Sequence, residues 1–390
     1  MSTNFSSDHT PATPQYEHES PPKKFKWKNI DFSYLLSKDF ILIFLLGQLL
    51  ALCITTTIVA NTKLQILFPG FNIPTTLSLF LYITLAIIYT PISIFKYGFG
   101  GYFKMLKGRW WKYFLLGLVD VEGNYFVNKG YVYTNPFSMT LLDAWATPVV
   151  VVLSLIFLKV RYHPTQYIGV IICLAGLGLV AYCDFQDENN TAAGLDPIKG
   201  DLFALLGATF YGISNVYEEY CVRKRPLHEV LGQLGFWGMV VSFIQIGAAE
   251  RGEWQQLGSD SRMIGYIILY NFAMFLLYSL TPILFRLSSA LFFNLALLSS
   301  DFYTYIFLSF VLFLSSPCQI YPAAFATVVV GLIIYYINPA TKPKIKPDYE
   351  DDKHDGVNEN GRDLESSYGV NNENDDEKRV NNTVEELVVS

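Results

Sequence analysis

The stretch PFSMTLLDAWATPVVVVLSLIFL, residues 136–158, decides how the whole chain is read. It holds one charged side chain, Asp143, in a run long enough to cross a hydrocarbon core of ~30 Å as a helix rising ~1.5 Å per residue. An acid inside such a run costs roughly 2.5–3.5 kcal/mol to insert, so it needs a partner, water or a task. Residues 136–158 therefore predict a membrane span that carries chemistry.

Working outward, nine further stretches have the same character: 40–60, 73–95, 113–133, 164–183, 201–220, 230–249, 263–285, 288–314 and 317–337. Three carry internal charge, with Asp120, Glu122 and Lys129 in the third span, Glu218 and Glu219 ending the sixth, and Asp301 in the ninth. The expectation is an all-α polytopic membrane protein of ten transmembrane helices. Composition agrees, since 52% of the 390 residues are hydrophobic and only 16% charged, against about 25% charged in a typical soluble domain. Half of the charged side chains fall in residues 1–39 and 341–390, which leaves the middle too apolar to dissolve unaided.

Lys and Arg accumulate in short cytoplasmic loops. With the N-terminus inside, eleven Lys and Arg between Lys96 and Arg286 fall in cytoplasmic loops and four, Lys63, Lys199, Arg251 and Arg262, in the opposite ones. Both ends then face the cytoplasm. Residues 1–39 and 339–390 read as disordered tails, the second acidic, because Asn, Asp, Glu, Ser and Pro cannot bury enough surface to order a chain. The net charge of −6 sits mostly in that C-terminal tail, so it describes a solvated appendage and gives no reason to expect nucleic acid as a partner. Five cysteines, Cys53, Cys173, Cys183, Cys221 and Cys318, are scattered in apolar runs without C-x-x-C spacing, as small buried hydrophobes would be. Asn189-Asn190-Thr191 is a glycosylation sequon in the loop after the fifth span.

Ten spans divide into five and five. Laying 131–182 on 285–336 matches Thr134-Asn135 with Ser288-Ser289, Pro164 with Pro317 after one gap, and Gly178 with Gly331. An odd number of spans per copy turns the second copy upside down, giving inverted repeats over 40–183 and 184–338, an architecture that places a solute site near the midplane between the halves. Candidate site residues follow from the polar groups inside the spans. At ~100° per residue, Asp120, Asn124 and Asn128 fall within an arc of about 80°, while Glu122 and Lys129 lie on the other side of the same helix. Of these, Glu122 and Asn124 are the candidates. The fourth span adds Asp143 and Trp145, and Asp301 falls on the equivalent face of the ninth. Tyr211, Asn215 and Glu218 recur at i, i+4 and i+7, placing a ring, an amide and an acid on one stripe. Glu219, beside Arg223, reads instead as an interfacial ion pair. Carboxylates would attract cationic groups or carry protons, aromatics would stack and amides would set hydrogen-bond specificity.

Enzyme signatures are missing. The five histidines form no H-E-x-x-H run, and neither G-x-S-x-G nor G-x-x-x-x-G-K-[ST] occurs, so ATP-driven pumping has no support and no cofactor or metal is expected. The partners expected are a small-molecule solute, the lipid bilayer and possible coupling protons. A non-transporting scaffold or receptor that keeps the transporter fold stays open as an alternative.

Four segments carry a family likeness: Glu122-Gly123-Asn124-Tyr125, Ser138-Met139-Thr140-Leu141-Leu142-Asp143, Gly200-Asp201 through Tyr211-Gly212-Ile213-Ser214-Asn215-Val216-Tyr217-Glu218-Glu219-Tyr220, and Asn294-Leu295 through Asp301-Phe302-Tyr303. Together they resemble the F branch of solute carrier family 35, in the drug/metabolite transporter superfamily. The resemblance covers roughly residues 40–338 and implies two inverted five-helix repeats around a solute cavity. Relatives that exchange nucleotide sugars are expected to need basic residues for phosphate. Here the membrane charges are mostly acidic, which disfavours a nucleotide sugar, and the resemblance implies neutral or cationic heterocycles such as a modified nucleobase.

Overall fold

A computed structural model describes residues 37–68, 73–134, 139, 142–186, 196–251, 260–307, 321–337 and 345, all within one compact unit, Met1–Ile345. Residues 1–36 and 346–390, the Asn189 sequon, Cys318 and the side chain of Cys183 lie outside the described residues. Cys53, Cys173 and Cys221 are buried and unbridged.

Helix α1 spans Lys38–Leu67; the Ser37 hydroxyl accepts from the Phe40 amide and so caps its first turn. Helix α2, Pro74–Tyr133, starts on a proline and breaks at Gly98, where φ is 69° and ψ is 162°. A side chain would be strained in that conformation, so the glycine allows the chain to change direction between two helical arms. There follow α3 (Ala146–Ile156), α4 (Pro164–Gln186), α5 (Pro197–Lys224), α6 (Leu227–Ala249), α7 (Ser261–Leu287), α8 (Ala290–Ile306) and α9 (Tyr321–Tyr336). Asp196, Asp260 and Ser289 cap α5, α7 and α8 through side-chain acceptors. Hydrogen bonds from the Arg262 side chain and backbone also hold the Asp260 carboxyl below the usual carboxylate range.

All regular structure among the described residues is helical. Among the described residues four helices are long and apolar enough to cross a membrane: 40–67 of α1, α2, 227–248 of α6, and α7. Within the span expected at 136–158 a turn at Ala144 and Trp145 interrupts the helix, separating the helical Leu142 and Asp143 from α3, which begins at Ala146. Pro148 explains this. It has no amide hydrogen and its ring clashes with the carbonyl four residues earlier, that of Ala144, so the helical turn holding Asp143 does not run on unbroken into α3.

Packing is led by α2 against α6 and α5, α4 against α9, and α1 against α7 and α8. Small residues set the closest approaches, as is usual where lipid gives helices no hydrophobic reason to associate. A Cβ on Gly235 of α6 would sit 2.5 Å from the Ala86 amide nitrogen, and one on Gly238 would run into the Tyr82 ring. Where α4 crosses α9, a Cβ on Gly169 would lie 2.8 Å from the Gly331 carbonyl.

Buried acids tie the ends of α6 to α2. Glu229 accepts from the phenols of Tyr97 and Tyr113 and pairs with Arg109 at 3.4 Å. At the other end Glu250 accepts from the amides of Thr75 at 2.7 Å and Thr76 at 3.0 Å, neutralising the start of α2.

Candidate solute-binding cavity

Between the helices lies a cavity of about 110 Å³, against the ~10–15 Å³ that one water needs. Its walls come from α1, the second arm of α2, the approach to α3, and α5, α7 and α8. Among the described residues four carboxylates line it, Asp120, Asp143, Glu218 and Asp301, and no Lys, Arg or His does. Around them stand Tyr131, Tyr211, Tyr270 and Tyr278, with Asn61, Asn128, Asn215 and Asn294.

The acids differ in how they are satisfied. Asp120 is the centre of a closed network: Oδ2 accepts from the phenols of Tyr82 at 2.8 Å and Tyr278 at 2.9 Å, and Oδ1 accepts from the Ser214 hydroxyl at 3.0 Å. Asn124, fully buried one turn along, donates to both phenol oxygens and accepts from Tyr211 at 3.0 Å. Its amide orientation is fixed by a further contact, Nδ2 to the Asp120 carbonyl oxygen at 3.1 Å. This network joins both arms of α2 to α5 and α7. By contrast Glu218, only 4% exposed, has Oε1 buried without a partner, and Oδ1 of Asp143 is in the same condition. An unpartnered buried oxygen on a cavity wall forfeits about 1–3 kcal/mol or more that a guest's donor could return.

Five of the eight residues singled out by sequence share this wall: Asp143, Tyr211, Asn215, Glu218 and Asp301. Asn215 also donates to Asn294 at 3.4 Å. Asn124 stands directly behind the wall, through Tyr211. Glu122 and Trp145 are elsewhere. Glu122 accepts from Gln245 of α6 at 3.3 Å, and Trp145, 49% exposed, donates its indole N–H to Thr209 at 3.2 Å. Glu219 pairs with Arg223 at 2.8 Å and accepts from the Ala290 amide, as an interfacial acid should.

Sequence reasoning passed over Asp120, Tyr82, Tyr270 and Tyr278. Asp120 was visible as the first member of the Asp120-Asn124-Asn128 face. The α7 residues had a signal too, since Tyr270, Met274, Tyr278 and Thr281 follow i, i+4, i+8 and i+11, one stripe that lies entirely on the cavity.

A solved crystal structure superposes on 76% of this chain and 97% of its own with a TM-score of 0.56 and 16% identity, a likeness of fold. An uncharacterized solute carrier family 35 member of Schizosaccharomyces pombe is 44% identical over 315 residues, 80% of this chain and 61% of that protein. Solute carrier family 35 member F2 of Mus musculus is 34% identical over 305 residues, 78% of this chain and 81% of the mouse protein, and the Xenopus tropicalis member F2 is 34% identical over 321 residues, 81% of this chain and 80% of its own. Solute carrier family 35 itself matches residues 36–337. With that match spanning most of its length, the chain belongs to solute carrier family 35 and is an integral, multi-pass membrane protein of a solute-transporting family.

Proposed function

We propose that the protein moves a small polar organic solute, neutral or cationic, across the bilayer by alternating access, with the acid-lined cavity as its binding site. Ten spans form two inverted five-helix repeats, 40–183 and 184–338, with both termini in the cytoplasm. Asp143 and Glu218 receive the guest's donors, Asp301 adds negative potential, Tyr211 stacks, and Asn215 reads hydrogen bonds. Asn124 positions Tyr211, and protons are the coupling ion assigned to Asp143 and Asp301.

The observation that carries this reading is four carboxylates on one cavity wall with no basic residue beside them among the described residues, two of the acids having a buried oxygen left unmet. Such a site would repel phosphate and reward a donor-rich guest. The packing supports the repeats. Counted in chain order with the two arms of α2 as second and third, the first span packs on the eighth and ninth, and the third and fourth pack on the sixth. The second meets the seventh, and the fifth meets the tenth. Exchanging each span for the one five places on returns these same pairings, as a pseudo-two-fold axis in the membrane plane requires.

The test is uptake by the purified full-length protein in liposomes, screening radiolabelled nucleobases, nucleosides and nucleotide sugars at two pH values. Saturable uptake of an unphosphorylated nucleobase or nucleoside is expected. Preference for nucleotide sugars would overturn the assignment of the acidic wall.

A further inference from the structure

The stretch between the two membrane arms of α2 carries a surface that the cavity does not use. Residues 95–112 read FKYGFGGYFKMLKGRWWK, and no acid occurs anywhere from Pro74 to Val119. After the break at Gly98 the chain is helical again. Tyr97 and Tyr113 both donate to the single carboxylate of Glu229, although sixteen residues of straight helix would set their Cα atoms about 24 Å apart. Tyr102, between them, accepts from Gln233 at 2.9 Å, one turn further into α6. The stretch is thus drawn across the start of α6, at the end that the loop charges assign to the cytoplasm.

Its faces are sorted. At ~100° per residue, Tyr102, Arg109 and Tyr113 cluster on the side that meets α6. Next round the helix come Phe99, Phe103 and Trp110, within about 40° of one another and 71%, 59% and 47% exposed. Beyond them lie Lys104 and Lys107, exposed, with Trp111, 53% exposed, between them, and with Lys96 exposed just before the break. Core side, aromatic strip, lysines is the order an interfacial helix needs to sink its rings at the acyl boundary while its ammonium groups stay at headgroup level.

The geometry points to a docking surface for anionic phospholipid, with Phe99, Phe103 and Trp110 seated in the interface and Lys96, Lys104 and Lys107 on the headgroups. The exposed aromatic strip selects a lipid over a soluble anion, and the missing acids select an anionic headgroup over a zwitterionic one. Because Tyr102 and Arg109 join this stretch to the start of α6, headgroup binding bears directly on the α2–α6 contact.

The full-length protein in detergent is titrated with phosphatidylserine or with phosphatidylcholine while its thermal unfolding is followed. Phosphatidylserine raises the unfolding midpoint and phosphatidylcholine does not. Each lysine near a charged surface is worth roughly fivefold in affinity, so the triple variant Lys96→Gln, Lys104→Gln, Lys107→Gln binds phosphatidylserine about a hundredfold more weakly. Independently of those lysines, a nitroxide on Phe103→Cys in phosphatidylserine vesicles is relaxed by oxygen in preference to a water-soluble chelate. Equal shifts with the two lipids, an undiminished shift in the triple variant, or a label fully open to the chelate would each overturn the proposal. So would a phosphatidylserine effect that appears only when residues 346–390 are removed, since the acidic tail would then hold the surface.

Discussion

Glu218 and Glu219 are neighbours on one helix and have opposite fates. Glu219 turns toward the start of α8, where Arg223 and the Ala290 amide complete its hydrogen bonds, and Glu229 and Glu250 are completed in the same way at the two ends of α6. Glu218 turns into the cavity, where Oε1 meets nothing. The fold can evidently satisfy a buried acid when the acid's role is to join helices. Two acids left incomplete on one shared wall are what the proposed solute site rests on.

That contrast can be broken by substitution. The largest effect is expected on transport: Glu218→Gln should lower uptake at least a hundredfold in proteoliposomes while the thermal midpoint in detergent stays within a degree or two, because no internal partner is lost. Glu219→Ala should do the reverse. Removing one member of a buried pair strands Arg223 and the Ala290 amide at a cost of about 3 kcal/mol, read as a lowered unfolding midpoint. Gly238→Ala sharpens the comparison from a distance, since its Cβ would push the Tyr82 ring off Asp120; a loss of about 1–3 kcal/mol is expected, together with weaker uptake. Trp145→Phe is the smallest change. Its indole bond to Thr209 sits at a half-exposed position, so stability should move by less than ~1 kcal/mol and uptake should stay at the wild-type rate.

Much of this was legible in the chain because the membrane imposes a simple rule: apolar stretches of spanning length become helices, and their acids must be accounted for. Asp143, Glu218 and Asp301 could be picked out on that ground alone. Where a singled-out residue stands away from the cavity wall, the reason is physical. Trp145 stands two residues from Asp143, and residues two apart do not share a helical face; its indole turns instead to Thr209. Glu122 and Asn124 belong to two polar faces of one helix, and Glu122 turns to Gln245 while Asn124 turns to three phenols. A helical wheel reports which residues share a face, and it is silent on what that face meets. Asp120 went unselected for that reason, since its partners Tyr82, Ser214 and Tyr278 come from three other stretches of chain and two of them are rings that read as apolar.

The central claim is that the unmet carboxyl groups on the cavity wall take up the travelling solute. It is tested most directly by uptake into liposomes containing Asp143→Asn, with insertion and folding verified in the same preparation. The account predicts a correctly inserted protein that no longer transports. Wild-type uptake by that variant would contradict it.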